Sequence, residues 1–374
     1  MKKLTSLLVA ILMVFSMTIT GCGKNDVKST DDSKNGEKQT EAKEDNKKPL
    51  KVLLFINGNL GDKSFFDSAN NGMKLIKEKY GCETKTIEVG TDRSKWEPAL
   101  EDVSEQDYDI IIVGTFDMDE ALTKVAAEHP DKKYIMFDYE MDYKDGKNKN
   151  VYSMRYKANE SSFLAGALAA KMSKSHKLGF VGGMDIPLIN DFLVGYIQGA
   201  QYVDKNIKVL PSYVGNFNDP AKGKEMALAQ YNQGIDIVYN AAGQTGLGVL
   251  DAAKEVKKLA IGSDSDQAML YKDDPEKANL ILTSILKRVD NSIVRAIDKY
   301  IKGELEFGKC EVLGLKEECV GLAENEFFNK NVPEDVRKQL KDLSDKIVSG
   351  EIKVDTGLGM SNDELDKLRD SVRP

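Results

Sequence analysis

Apolar positions in this chain fall into short unbroken runs, and each run stops at glycine, asparagine or aspartate before a helix-length stretch begins. Residues 51–56 (KVLLFI) are the first run, with Asn57, Gly58 and Asn59 punctuating its end. Such a run predicts a strand covered on both faces, as in the interior of a parallel sheet. Beyond the loop, Phe65, Phe66, Ala69, Met73 and Ile76 recur at helical spacing and predict a helix that Asp62 is placed to cap. Ligands of open α/β sheets bind beyond the strand ends, at helix N-termini, so Asp62, Ser64 and the aromatic pair form a candidate contact surface. Neighbouring helical positions point about 100° apart, so one phenylalanine is expected to face a cleft and the other to pack inward.

The same order of strand, loop and helix continues. Residues 108–114 (YDIIIVG) and 132–138 (KKYIMFD) read as further buried strands, and their alternation with helices predicts a parallel sheet with right-handed crossovers. Then the pattern recurs: 177–183 (KLGFVGG), 235–243 (IDIVYNAAG) and 257–264 (KKLAIGSD) follow the first three runs at displacements of 126, 127 and 125 residues. Residues 151–157 (VYSMRYK) and 281–287 (ILTSILK), each a strand meeting a lysine before a helix, stand 130 apart. Displacements this close predict two α/β halves in series. Two such halves with opposed strand ends enclose a cleft and close about a hinge, which is the architecture of a bilobed solute-binding protein. A pair of dinucleotide-binding domains is the alternative, but Gly243-Gln244-Thr245-Gly246-Leu247-Gly248 lacks the GxGxxG order and no clear ribose-binding acid follows it.

Composition agrees: 374 residues, 41% of them hydrophobic, supply enough material for two cores. The first residues add an address. Lys2 and Lys3 precede an apolar run over 7–15 that is too short to span a bilayer, and Ile19-Thr20-Gly21-Cys22 resembles a bacterial lipobox. Residues 1–21 therefore read as a lipoprotein signal peptide and Cys22 as the lipidated residue. Residues 22–49 are mostly Lys, Asp, Glu, Asn and Ser, too polar to fold, and predict a tether reaching roughly 30 Å. The expected place is the extracytoplasmic face of a bacterial cell membrane. Without residues 1–21 the chain carries 51 basic and 61 acidic residues, a net of −10 that argues against nucleic acid as a partner. Outside the cytoplasm Cys310 and Cys319 are candidates for a disulfide, and Cys82 for a buried or unpaired thiol.

The chemistry of catalysis is sparse. His129 and His176 are the only histidines, both in hydrophilic segments, and neither a P-loop nor a GxSxG elbow occurs. No catalytic residue, metal or cofactor is assigned; Asp264 and Asp266 read as hydrogen-bond acceptors more readily than as an acid–base pair. The strand ends, by contrast, form a coherent set. Asp264 can take two hydroxyls of a sugar, Lys287 a carbonyl or ring nitrogen, and Gly182, Gly183 and Gly243 allow close backbone approach. Phe192 stands opposite Phe65 in the two-lobed arrangement. Two facing aromatics with a carboxylate and an ammonium between them suit a flat polar ring carrying a diol. Each residue also has a structural explanation: an ion pair between Lys287 and Asp264, and helix packing for Phe192.

Several segments carry a resemblance: 61–69 (GDKSFFDSA), 160–170 (ESSFLAGALAA), 180–187 (FVGGMDIP), 192–200 (FLVGYIQGA), 214–223 (VGNFNDPAKG), 241–249 (AAGQTGLGV), 262–267 (GSDSDQ) and 283–290 (TSILKRVD). They resemble the basic membrane protein family, ABC-transporter substrate-binding lipoproteins that include the spirochaetal purine-nucleoside receptors. The resemblance implies a type I periplasmic-binding fold, two Rossmann-like lobes with parallel sheets joined by a multi-strand hinge. Lobe 1 is expected over 50–158 plus 285–320, and lobe 2 over 159–284 plus 321–374. It further implies a purine-type nucleoside as ligand, with no catalytic step and with delivery to an ABC permease and its ATPase by a monomer. Carried over by position, Phe65 and Phe192 sandwich the base, Asp264 binds the ribose hydroxyls and Lys287 contacts base or sugar. Asp117 or Asp119 is the first-lobe acid, and Asn57, Asp62, Ser64 and Gly243 complete the set. At the end of the first strand, where the family often has aspartate, this chain offers Ile56 or Asn57, and Phe66 stands where the family has asparagine. A receptor of the same fold that signals to a membrane partner, or a binder of another small ligand, is the alternative.

Overall fold

The computed structural model describes residues 48–374, so the signal segment, Cys22 and all but the end of the tether lie outside the described residues. The first half runs β1 (Lys51–Ile56), α1 (Phe65–Tyr80), β2 (Glu83–Glu88), α2 (Trp96–Ser104), β3 (Ile110–Gly114), α3 (Asp119–Glu128), β4 (Lys133–Phe137) and β5 (Val151–Tyr156). The second repeats that order as α4 (Ala158–Met172), β6 (Lys177–Gly182), α5 (Pro187–Val203), β7 (Lys208–Tyr213), α6 (Pro220–Asn232), β8 (Ile237–Ala241), α7 (Gly246–Val256), β9 (Leu259–Asp264), the short α8 (Gln267–Leu270) and α9 (Pro275–Ala278), and β10 (Ile281–Lys287). Then come α10 (Val289–Ile301), β11 (Lys309–Leu313), β12 (Val320–Leu322), α11 (Glu326–Asn331), α12 (Glu334–Val348) and α13 (Asn362–Val372).

Two six-stranded sheets result, ordered β11-β5-β4-β3-β1-β2 and β12-β10-β9-β8-β6-β7. All pairings are parallel except β12 on β10. The two orders are the same list shifted by one half, as the displacements in the sequence predict. Central strands are those with continuous apolar runs: Val52 to Ile56 are all fully buried, because helices cover both faces. The edge strands β2 and β7 carry no such signal. The first (ETKTIE) is half-exposed along its length, and the second contains Pro211, which an edge tolerates. The chain passes between the sheets after β5, after β10 and after β11, which makes the multi-strand hinge. Strand β10 stays in the second sheet through Lys287, and Val320 belongs to that sheet too; residues 285–287 and 320, expected in lobe 1, stand there instead.

Cys310 and Cys319 are free thiols. Alternation along β11 explains why they do not pair. Cys310 lies on the side of Ser153 and Tyr143, whereas its neighbour Glu311 turns the other way to meet Arg295 and Lys299 of α10. Cys319 is buried on that second side, beside Arg295 and Glu311. Cys82 is buried in the first-half core.

Helices α4 and α5 pack closely in the second half, and glycine is what permits it. A Cβ at Gly199 would lie 1.9 Å from the Phe163 carbonyl oxygen, and one at Gly195 would lie 2.2 Å from that of Asn159. These neighbours are backbone and cannot rotate away. Gly199→Ala is expected to destabilise the protein by about 1–3 kcal/mol, the usual cost of overpacking, read as a lower urea midpoint at unchanged slope.

Candidate functional site

A cavity of about 290 Å³ lies at the strand ends of both sheets, close to the size of a small-molecule site. The first half contributes Asn57, Phe65, Phe66, Asp117 and Asp138; the second contributes Phe192, Gly243 and Asp264, with Lys287 from the end of β10.

Its floor is an ion pair. The Lys287 ammonium lies 2.9 Å from both carboxylate oxygens of Asp138, and the two side chains are 4% and 5% exposed. Three rings surround the same ammonium, with centroids at 4.8 Å for Phe192, 5.3 Å for Phe65 and 5.8 Å for Tyr156. Such contacts stabilise a desolvated cation. Burial pushes the Asp138 carboxyl up to about 6, with Lys287 pulling the other way and the Asp264 carboxylate adding to the rise. The ion pair is therefore real, but its partner is Asp138 and not Asp264. Asp138 and Asp264 are equivalent in the two halves, 126 residues apart, and both adopt a left-handed backbone, at φ 62° and 63°. Aspartate is among the few residues that accept this conformation, which here turns the chain off the strand at the cleft.

Asp264 meets a different neighbour. Ser64 Oγ donates to its Oδ2 at 2.5 Å across the two halves, and Ser265 Oγ donates back to the Ser64 carbonyl at 2.9 Å. Ser64 thus acts through Asp264 and does not line the cavity. Asp62 is the cap expected of it: its carboxylate accepts from the backbone N–H groups of Ser64, Phe66 and Asp67 at 2.9–3.1 Å. Burial raises its carboxyl to about 6 against those bonds. Its acceptor capacity is largely taken up by the helix. Asn57 is the reverse case. It is 7% exposed, it lines the cavity, and its Oδ1 is buried without a hydrogen-bond partner. A buried amide oxygen left unpaired costs roughly 1–3 kcal/mol, which a donor on a bound ligand would return.

Both phenylalanines of α1 border the cavity, contrary to the expectation that one packs inward. They sit in the first turn, where long side chains lean back over the helix start, so adjacent positions both reach the preceding loop. Phe65 packs on Phe137 and Phe66 at 5.3 Å from each, and Phe66 covers Gly58. Of the two candidate first-lobe acids, Asp117 lines the cavity and is paired with Arg93. Asp119 opens α3 and accepts from Tyr139 Oη at 3.2 Å, away from the cavity. Gly243 is on the wall at φ 54°. The cavity residues that sequence reasoning missed include Asp138, Arg93, Trp96, Phe116 and Phe217. The half-to-half displacement alone pointed to the first; the others lie on loops or first turns with no periodic signal. Gly183 makes room for one of them, since a Cβ there would lie 2.3 Å from the Phe217 ring.

Among the described residues no helix is long and apolar enough to cross a membrane, and no group of acids, histidines and cysteines is arranged to hold a metal ion. Residues 50–356 match the Bmp family, described as ABC transporter substrate-binding protein PnrA-like. Basic membrane protein A2 of Borrelia garinii subsp. bavariensis is 34% identical over 305 residues, covering 81% of this chain and 87% of the relative. A CD4+ T-cell-stimulating antigen of Listeria innocua is 30% identical over 374 residues, covering 95% and 99%. The crystal structure of a solute-binding protein of an ABC transporter system from Aeropyrum pernix superposes with a TM-score of 0.74 at 29% identity, covering 86% of this chain and 98% of that one. The family is one of substrate-binding components of ABC transporters, not of enzymes, and a transporter component implies a permease as partner. The chain belongs to the Bmp family of PnrA-like ABC transporter substrate-binding proteins.

Proposed function

We propose that this protein is a lipid-anchored receptor that captures a nucleoside, with a purine base preferred, and delivers it to an ABC permease and its ATPase. The observation that carries the reading is the Lys287 ammonium lying against both Phe65 and Phe192 at the floor of a cavity that Asp264 also lines. A flat base stacks on aromatic faces, an ammonium donates to a ring carbonyl or nitrogen, and a carboxylate takes a vicinal diol. Asp117 offers a second carboxylate and Asn57 an unfilled amide, so a nucleoside finds a partner for each of its polar edges. The carboxylates on the wall outnumber the cations, which disfavours a phosphorylated ligand.

The cavity contains its own reporter, because Trp96 is the single tryptophan of the chain and lines the wall. Titration with inosine, adenosine or guanosine is expected to change its fluorescence saturably. Phe192→Ala is expected to weaken that binding by about 1–3 kcal/mol, the worth of one stacked base. Absence of any saturable signal or calorimetric heat with all three would sink the nucleoside reading.

The ion pair gives a separate expectation for the unliganded protein. Lys287→Met leaves a buried unpaired carboxylate and is expected to cost about 3–5 kcal/mol in urea unfolding, whereas Lys287→Met combined with Asp138→Asn recovers much of the loss. Equal stability of single and double variants would mean that the two groups do not interact. The anchor is tested in cells: Cys22→Ser is expected to move the protein from the membrane fraction to the soluble one, and unchanged fractionation would remove Cys22 from the account.

A further inference from the structure

The second wall of the cleft is held from behind by a part of the chain that does not line the cavity. The turn from β6 into α5 places Met184, Leu188 and Ile189 on the wall, and the loop after β7 places Asn216 and Phe217 there. Beneath both lies Arg369 of α13. Its Nη2 is 2.6 Å from Asp185 Oδ1, 3.0 Å from Asn190 Oδ1 and 2.7 Å from Tyr213 Oη, with the guanidinium 5.0 Å from the centre of the Tyr213 ring. Asp185 and Asn190 bracket the first loop, and Tyr213 ends β7 immediately before the second. The ring of bonds is closed: Asn190 Nδ2 donates to Asp185 at 2.9 Å, and Tyr213 Oη donates to Asn190 Oδ1 at 2.6 Å. Arg369 is only 12% exposed.

A second tie lies earlier in the same tail. Thr356 Oγ1 and the Gly357 N–H both donate to Asp191 Oδ1, and the Asn159 N–H donates to Asp191 Oδ2 at 3.2 Å. Asp191 immediately precedes Phe192. A Cβ at Gly357 would lie 2.7 Å from backbone atoms of Asn190 and Asp191, so the tail lies flat on the first turns of α5. The family match ends at residue 356, so the helix that carries Arg369 lies beyond the matched part of the chain.

We infer that residues 356–369 are a strap that fixes the second-lobe wall of the cleft, and that Arg369 is a positioning residue for ligand binding. The inference rests on the reading that this cavity holds the ligand. A planar guanidinium suits the task, because one rigid group meets three acceptors on two loops. Loops held in their bound conformation spend less of the binding energy on ordering, so loss of the strap appears as weaker and shorter-lived binding.

The test compares Arg369→Ala, Arg369→Lys and Ile347→Ala in the full chain. Ile347 is a core residue of α12 and does not line the cavity, so its variant controls for loss of stability alone. In hydrogen–deuterium exchange without ligand, the amides of 184–190 and 214–218 are expected to exchange faster in Arg369→Ala and to keep wild-type rates in Ile347→Ala. With inosine as probe, Arg369→Ala is expected to raise the Kd about tenfold through faster dissociation. Arg369→Lys recovers part of this, since an ammonium still meets Asp185, and Ile347→Ala leaves the Kd unchanged. Wild-type exchange of both loops in Arg369→Ala overturns the strap, and faster exchange with an unchanged Kd overturns the role of Arg369 in binding. A wild-type protein that binds no nucleoside, with the loops loosened by Arg369→Ala, strikes the nucleoside reading and leaves the strap in place.

Discussion

The cleft is built around one buried charge pair, Lys287 with Asp138. Its two members come from the ends of strands in different sheets, β10 and β4, so the contact is also a tie between the halves. Removing two such ions from water costs several kcal/mol each, and the return comes from close geometry and from the rings packed round the ammonium. Buried ion pairs are weak contributors to net stability but strong constraints on arrangement. The same ammonium that meets Asp138 of the first half lies against Phe65 of that half and Phe192 of the other, so the pair and both aromatic walls share one point of contact.

The second tie is Ser64 on Asp264, and it differs from the first in what it leaves available. Asp138 has both oxygens on Lys287; Asp264 has one on a serine hydroxyl. The two aspartates occupy the same place in the repeat with the same backbone conformation, so the difference comes entirely from what faces them. Lysine shows the same divergence. Lys157 and Lys287 follow equivalent strands, yet Lys157 lies at the surface against Glu160 while Lys287 turns into the cleft. A repeated scaffold therefore yields a single asymmetric site, with a neutralised floor on one side and an open carboxylate on the other.

Much of this was legible in the sequence because burial leaves a periodic trace. The four strand displacements gave the two similar halves; strand ends pointed to Asp264 and Lys287, and the helices that follow them to Phe65 and Phe192, all four of which line the cavity. What escaped was whatever has no period. β2 and β7 are sheet edges and half polar, so no apolar run marks them. Arg93 and Phe217 reach the cavity from loops beside those edges. The partner of Lys287 was hidden for another reason: two equivalent strand-end aspartates satisfy the same pattern, and nothing in that pattern says which of them the ammonium meets. The pairing of Cys310 with Cys319 failed on alternation, since a nine-residue separation in sequence says nothing of which face of β11 each thiol occupies.

The distribution of constraint across the two walls follows from these contacts. The first wall has local bonds of its own: Asp62 caps α1, Phe65 packs on Phe137, and Arg93 pairs with Asp117 within the same half. The start of α1 is also tied to the other half, by Ser64 on Asp264 and by Ser265 and Gln267 on the Ser64 and Lys63 carbonyls. The second wall has no equivalent of Asp62, because Pro187 opens α5 and its N-cap residue, Ile186, provides no side-chain acceptor. Its first turns are held instead by Thr356, Gly357 and Arg369, supplied from more than 150 residues later in the chain. Ties to distant segments cost loop-closure entropy, and both walls carry them: the first to residues at and just after the end of β9, the second to the tail. The two faces of the cleft are equivalent in topology but differ in what holds them: the face that carries Phe65 is tied to the opposite strand ends, and the face that carries Phe192 to the tail of the chain.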